Sequence, residues 1–65
     1  MKIEVNGEMR EIAADTLEGA LSELDWGTAR VATALNGAFV PKSARAATRL
    51  QDGDRLEVLA PMQGG

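Results

Sequence analysis

The sequence predicts an α+β fold, in which a mixed sheet of four to five strands has one helix packed across it. Short segments near both ends of the chain alternate polar and apolar residues, as half-buried strands do. Two Asn-Gly dipeptides, at 6–7 and 36–37, are strong hairpin signals. Between them lies a stretch with apolar residues at helical spacing. A chain of 65 residues has room for one domain with a small core.

Residues 2–13 are predicted to form the first hairpin. Ile3 and Val5 alternate with polar neighbours, and the Asn-Gly pair that follows supplies the positive φ angles of a type I′ turn. Met9 and Ile12 lie three residues apart, a spacing that strict alternation forbids. We therefore expect a bulge or twist in the returning strand.

The helix is predicted to begin at Asp15-Thr16 and to stop at Gly27. Asp15 and Glu18 have the spacing of a capping box. Gly19 costs about 1 kcal/mol relative to alanine inside a helix. We interpret it as a tolerated defect rather than as a point of close approach. The apolar face of the helix consists of Leu17, Ala20, Leu21 and Leu24.

The second half of the chain is predicted to return to strands. Residues 31–36 are apolar on both faces apart from Thr33, which is typical of a central strand covered by a helix on one side. The second Asn-Gly turn leads into a short strand, 38–40, which Pro41 ends or places at a sheet edge. Residues 42–50 are expected to be a surface connection with up to one helical turn.

The final strand, 55–59, follows a turn in which Gly53 is the residue best suited to a positive φ angle. We expect this strand to insert in parallel beside the first, because that brings both halves of the chain into one sheet and under one helix. This arrangement is the β-grasp architecture. The chain then divides into a β-grasp domain, residues 1–59, and a flexible C-terminal Gly-Gly tail, residues 60–65.

The composition excludes most catalytic machinery. The chain has no cysteine and no histidine, which rules out Cys- or His-based metal sites and nucleophile–histidine pairs. A net charge of −3 argues against nucleic-acid binding, and no apolar run approaches the roughly 20 residues of a membrane span. We expect a cytoplasmic, non-enzymatic protein without a bound cofactor or metal. Two pairs of carboxylates are interpreted as ordinary surface chemistry: Glu23 with Asp25, and Asp52 with Asp54.

The pair Gly64-Gly65 is the most informative feature of the sequence. It is either a frayed end without a role or a tail without side chains, which can thread a narrow cleft and present its α-carboxylate to a partner enzyme. An ionised carboxylate is a poor electrophile, and the chain lacks a phosphate-binding glycine loop, so a partner would have to activate it. The residues expected to dock the tail are Ala60, Pro61, Met62, Gln63 and Gly64.

Residues 34–41 (ALNGAFVP), residues 50–56 (LQDGDRL) and the final Gly-Gly, in this order, resemble the ThiS family of small sulfur carriers of thiamine biosynthesis. The resemblance covers nearly the whole chain and implies a ubiquitin-like β-grasp fold. It implies that an E1-like enzyme adenylates the carboxylate of Gly65 with ATP. Persulfide sulfur, from a cysteine desulfurase or another donor acting directly or indirectly, then converts it to a thiocarboxylate, which gives its sulfur to thiazole synthase. ATP and persulfide are used by these partners and are not bound by the chain alone.

The residues before the Gly-Gly pair differ from many ThiS sequences, which have small apolar residues there. Pro61 is similar to the corresponding region of the small subunit of molybdopterin synthase, whereas the Val40-Pro41 step favours the thiamine branch. A carrier of molybdopterin or cysteine synthesis, with the same terminal chemistry, is the first alternative. A non-covalent β-grasp binding module, in which the tail has no role, is the second.

Phe39 and Leu59 are the predicted partner-binding surface. One sheet face of this fold has no helix to cover it, so an aromatic residue on the short strand is expected to be exposed there. Trp26, at the predicted end of the helix, is interpreted as the edge of the core rather than as a stacking platform.

Overall fold

The computed structural model describes residues 1–27 and 30–60, which form a five-stranded mixed sheet with an α-helix on one face. The elements are β1 Lys2–Val5, β2 Glu8–Glu11, α1 Leu17–Glu23, β3 Ala32–Leu35, β4 Ala38–Val40, a 3₁₀ helix Lys42–Ala47, and β5 Arg55–Leu59. The strand order is β2-β1-β5-β3-β4; β1 and β5 are parallel and the other neighbours antiparallel. The predicted insertion of the last strand beside the first is confirmed.

The core lies between α1 and one face of the sheet. Ile3 of β1, Leu56 of β5 and Leu17 of α1 are fully buried there. Alternation places their strand neighbours on the opposite face of the sheet, which no helix of the described residues covers. We call this uncovered side the open face.

Both Asn-Gly turns have the predicted type I′ conformation. The φ angles are +50° and +87° at Asn6 and Gly7, and +52° and +86° at Asn36 and Gly37. Gly53 likewise takes a φ angle of +88° in the turn before β5. The two Asn-Gly turns join β1 to β2 and β3 to β4 with the twist that antiparallel strands require.

The prediction of a bulge in the returning strand is wrong. β1 and β2 pair without interruption, from Lys2 opposite Glu11 to Val5 opposite Glu8. Met9 and Ile12 are three residues apart because they lie on opposite sides of the sheet: Met9 is 59% exposed and Ile12 is buried in the core.

The start of the helix differs from the predicted capping box. Thr16 is the N-cap, and its Oγ1 accepts a hydrogen bond from the amide of Gly19 at 3.1 Å. A β-carbon on Gly19 would lie 2.9 Å from Cβ of Ala14 and 3.2 Å from the capping Oγ1. Gly19 is thus a point of close approach to the segment that enters the helix, and its interpretation as a tolerated defect was wrong.

The helix ends before the predicted Gly27, and the residue that takes the left-handed conformation at its end is Asp25. Asp25 has a φ angle of +68°, a conformation that Asp tolerates better than most residues. Its amide donates to the carbonyl of Ser22, and the amide of Trp26 donates to that of Leu21 at 2.7 Å, which together form a Schellman motif. Trp26 is half-buried against the core, as predicted.

The segment after β4 is more deeply packed than a surface connection. Its 3₁₀ helix has six residues, and Arg45 within it is buried. The Arg45 guanidinium donates to Oγ1 of Thr33 at 3.2 Å and to the carbonyl of Val31. Thr33 is itself buried and donates to the carbonyl of Val40 at 2.8 Å. A polar cluster therefore ties this helix to β3 and β4.

Glu23 links the end of α1 to the segment that precedes it. Its carboxylate accepts hydrogen bonds from the amides of Ala13, at 3.0 and 3.1 Å, and Ala14, at 3.0 Å. These bonds favour the charged form and lower the pKa of Glu23 below its ordinary value of 4.5, with a smaller contribution from the N-terminal amine. The carboxylate therefore has a structural role.

We expect Glu23→Gln to be less stable than the wild type at pH 7, with a difference that shrinks on acidification. Because the pKa of Glu23 is lower in the folded chain, its stabilisation is fully present above the unfolded-state value of about 4.5 and is lost as the pH falls through the folded-state value. Thermal unfolding of both proteins between pH 7 and pH 3 measures this. Glu8→Gln, on the exposed strand β2, is the control and should show little change; a difference for Glu23→Gln that is independent of pH would contradict the assignment.

Candidate functional site

The strand β5 leads directly to the predicted reactive tail. β5 ends at Leu59, and the next residue, Ala60, is exposed. The other predicted tail residues lie outside the described part of the chain: Pro61, Met62, Gln63, Gly64 and Gly65.

β5 occupies the middle of the sheet and has a neighbour on each side. β3 pairs with it as far as its last residue, where Ala32 lies opposite Leu59. β1 pairs with it only at its beginning, from Glu4 opposite Arg55 to Val5 opposite Leu56. The last part of β5 is thus held by a neighbouring strand on one side only.

Phe39 and Leu59 both lie on the open face, as the sequence predicts. Their exposed fractions are 70% and 69%, which is high for such large apolar side chains. They flank a shallow depression of about 120 Å³ on the sheet surface. The other residues that line this depression are Ala32, Thr33, Ala34 and Glu57. We call it the apolar groove.

The register of the strands brings the groove residues together. Ala34 of β3 lies opposite Phe39 of β4 and also opposite Glu57 of β5. Small side chains on β3 therefore form the floor, and the two large apolar residues stand on either side. The single carboxylate of Glu57 gives the groove a negative charge on its β5 side.

The remainder of the open face carries mainly charged residues. Arg55 of β5 lies opposite Glu4 of β1 in the parallel register, and Lys2 and Glu11 form the next pair toward the sheet edge. Met9 of β2, which lies opposite Glu4, is the large apolar residue among them. The open face thus divides into an apolar half, over β3, β4 and the end of β5, and a mainly charged half, over β1 and β2. The apolar half adjoins the origin of the tail.

Sequence reasoning named Phe39 and Leu59 but not the four other residues that line the groove: Ala32, Thr33, Ala34 and Glu57. Alternation places Ala32 and Ala34 on one side of β3, and Glu57 with Leu59 on one side of β5. Which residues then meet depends on the β3–β5 register, which is set by contacts distant in sequence.

The acidic pairs contribute to the architecture. Asp52 accepts a hydrogen bond from the amide of Lys2 at 2.7 Å, and Asp54 accepts one from the amide of Gln51 at 2.7 Å. Among residues 1–27 and 30–60, no group of three or more acidic side chains is placed to hold a metal ion. In the same residues, no helix is long and apolar enough to cross a membrane.

The ThiS family model matches residues 3–65. A thiazole synthase of Paramagnetospirillum magneticum is 42% identical over 66 residues, which cover all of this chain and 20% of that protein. The protein ycf40 of Pyropia yezoensis is 35% identical, and the match covers 93% of it. This chain therefore spans about a fifth of the thiazole synthase and nearly all of ycf40.

The fold is also that of a solved family member. The crystal structure of the thiamine biosynthesis protein ThiS from Geobacter metallireducens superimposes with a TM-score of 0.84 and 35% identity, and the match covers 100% of both chains. The family match over residues 3–65, the sequence identity and the ubiquitin-like β-grasp topology of the described residues all agree. The chain belongs to the ThiS family.

Proposed function

We propose that this chain is a sulfur carrier of thiamine biosynthesis that works through the carboxylate of Gly65. The observation that carries this proposal is the family match, which extends through the Gly-Gly pair to residue 65. The relation to thiazole synthases supports a thiazole synthase as the recipient of the sulfur. The proposed partners are an E1-like adenylating enzyme, thiazole synthase, and a cysteine desulfurase or another persulfide donor.

The proposed chemistry begins by making the carboxylate a better electrophile. A carboxylate oxygen of Gly65 attacks the α-phosphate of ATP, pyrophosphate leaves, and an acyl adenylate forms. Persulfide sulfur then attacks the carbonyl carbon and AMP leaves. Cleavage of the remaining sulfur–sulfur bond by a thiol leaves a thiocarboxylate on the carrier and a disulfide on the donor. The chain has no cysteine, so both the persulfide and the thiol come from outside this chain.

The apolar groove is the proposed docking surface for the activating enzyme. Binding at Phe39 and Leu59 would remove large apolar side chains from water immediately beside the origin of the tail. That contact would offset the entropy lost when a tail with two glycines is ordered in a cleft. The proposed docking surface thus adjoins Leu59, the last residue of β5, after which the tail begins.

Adenylation can be tested by pyrophosphate exchange. The E1-like enzyme is expected to exchange labelled pyrophosphate into ATP only when this chain is added. No exchange in the presence of the chain would contradict the proposal. Sulfur transfer from the loaded chain is then measured with purified thiazole synthase, with the large subunit of molybdopterin synthase and with a cysteine-forming sulfhydrylase. The recipient that takes the sulfur distinguishes the thiamine pathway from the molybdopterin and cysteine pathways.

We expect Phe39→Ala to raise the KM of the E1-like enzyme for this chain by about tenfold, equivalent to about 1.4 kcal/mol. The melting temperature should change little, because the side chain is 70% exposed. Met9→Ala is the matched control, since Met9 is also large, apolar and exposed but lies on the far strand β2. Equal increases in KM for the two variants would argue against docking at the groove.

A further inference from the structure

The side chain of Asn6 bonds to the end of β5 from the turn between β1 and β2. Its Oδ1 accepts a hydrogen bond from the amide of Val58 at 2.8 Å, and its Nδ2 donates to the carbonyl of Val58 at 3.1 Å. Val58 directly precedes Leu59, the last residue of β5. Both backbone groups of one residue near the origin of the tail are thus bound by one side chain.

This contact continues the β1–β5 ladder after the β1 backbone has turned away. The amide of Glu4 donates to the carbonyl of Asp54, and the amide of Asn6 donates to that of Leu56 at 3.0 Å. In a regular parallel ladder, the amide of Val58 would next bond to the main-chain carbonyl of Asn6. The φ angle of +50° at Asn6 turns its main-chain carbonyl away from β5 and into the turn. The side-chain oxygen of Asn6 accepts the hydrogen bond from Val58 in place of that carbonyl.

A second asparagine makes a comparable contact at the opposite end of β5. Oδ1 of Asn36, in the other type I′ turn, accepts a hydrogen bond from the amide of Arg55 at 2.9 Å. Its Nδ2 donates to Oδ1 of Asp54 at 3.0 Å. Asn6 and Asn36 therefore occupy the same position in their turns, and both bond to β5. They differ in the end of β5 to which they bond.

We propose that Asn6 is a positioning residue that fixes the end of β5 and hence the direction in which the chain continues toward Gly65. Near that end β5 has a paired strand only on the β3 side, so the Asn6 amide supplies the restraint on the other side. Its effect on catalysis rests on the proposed function, because a fixed origin lowers the entropy that the partner must overcome when it orders the tail.

The test compares Asn6→Gly with Asn36→Gly. Glycine accepts the positive φ angle of either turn, so each variant removes one side-chain amide and keeps the turn. Asn6→Gly is expected to accelerate hydrogen exchange at the Val58 amide and to lower the NMR order parameters of Leu59 and Ala60. It should also lower kcat/KM for adenylation by about tenfold, mainly through KM.

Asn36→Gly should accelerate exchange at Arg55 but leave Leu59, Ala60 and the adenylation kinetics near wild-type values. Asn6→Asp, which keeps an acceptor for the Val58 amide and loses the donor, should show a smaller loss than Asn6→Gly. Equal kinetic losses in the Asn6→Gly and Asn36→Gly variants, or unchanged order at Leu59 and Ala60 in Asn6→Gly, would overturn the proposal. If the wild-type chain were not adenylated, the proposed function would fail, while the NMR comparison would still decide whether Asn6 fixes the end of β5.

Discussion

Deletion of Gly65 is expected to abolish adenylation and sulfur transfer while leaving the fold intact. The variant still ends in a carboxylate, but that group is displaced along the chain by one residue, up to about 3.5 Å. A displacement of about 1 Å at a reacting centre can cost about a hundredfold in rate. We expect stability to change little, because the buried core of the described residues runs from Ile3 to Val58, distant in sequence from Gly65. Pyrophosphate exchange and thermal unfolding, measured on the same preparation, separate the two effects.

Gln63→Ala is the matched control for this deletion. It keeps the chain length and the final Gly-Gly pair and removes only a side chain from the tail. We expect a change in KM without loss of the reaction. Adenylation of the variant without Gly65 at the wild-type rate would contradict the role assigned to Gly65. Full retention of the chain's function in cells after this deletion would favour the non-covalent binding module, in which the tail has no role.

Leu56→Ala is expected to have the largest effect on stability. Leu56 is fully buried on β5, where the strand is paired with both β1 and β3. Truncation of a buried leucine costs about 2–5 kcal/mol, through lost transfer free energy and the cavity that remains. A domain of this size has a total stability of only about 3–10 kcal/mol. A substantial unfolded fraction should therefore appear at 37 °C in circular dichroism and denaturant titration.

Leu59→Ala tests whether this loss depends on burial. It is the same substitution three residues later on the same strand, but the Leu59 side chain is 69% exposed. We expect its free energy of unfolding to change by less than about 1 kcal/mol. If the two substitutions destabilised the chain equally, the assignment of the two faces of β5 would be wrong.

The order of the strands and the helix could be predicted because the signals are local. Two Asn-Gly turns, alternation around Ile3 and Leu56, and the helical spacing that begins at Leu17 each depend on a few neighbouring residues. The insertion of β5 beside β1 followed because the apolar faces have to cover one another.

Features that depend on tertiary contacts escaped prediction. Gly19 was interpreted as a defect because its contact, Ala14, becomes a neighbour only when the chain folds back at the N-cap. Residues 42–50 were expected to be a surface connection, whereas Arg45 within them is buried and its guanidinium donates a hydrogen bond to Thr33. Asp25 was overlooked as the helix terminator because Gly27 is the stronger signal in sequence.

The candidate site was predictable in part. The fold class implied an uncovered sheet face, and Phe39 was correctly placed on it. The floor of the apolar groove depends on the register between β3 and β5, which places Ala34 opposite Glu57. That register cannot be deduced from the local sequence around either residue. The role of Asn6 was hidden because the Asn-Gly pattern explains the turn without reference to the side-chain bonds to Val58.

The claim that Gly65 carries sulfur as a thiocarboxylate is tested most directly by intact-mass spectrometry. The chain is isolated, under thiamine starvation, from the cells that naturally produce it. The account predicts a species that ends at Gly65 and is heavier than the free acid by the mass difference between sulfur and oxygen. Tandem fragmentation should place this difference on Gly65. A chain that carries only the carboxylate while the sulfur-transfer enzymes are active, or one that continues past residue 65 without being trimmed, would contradict the account.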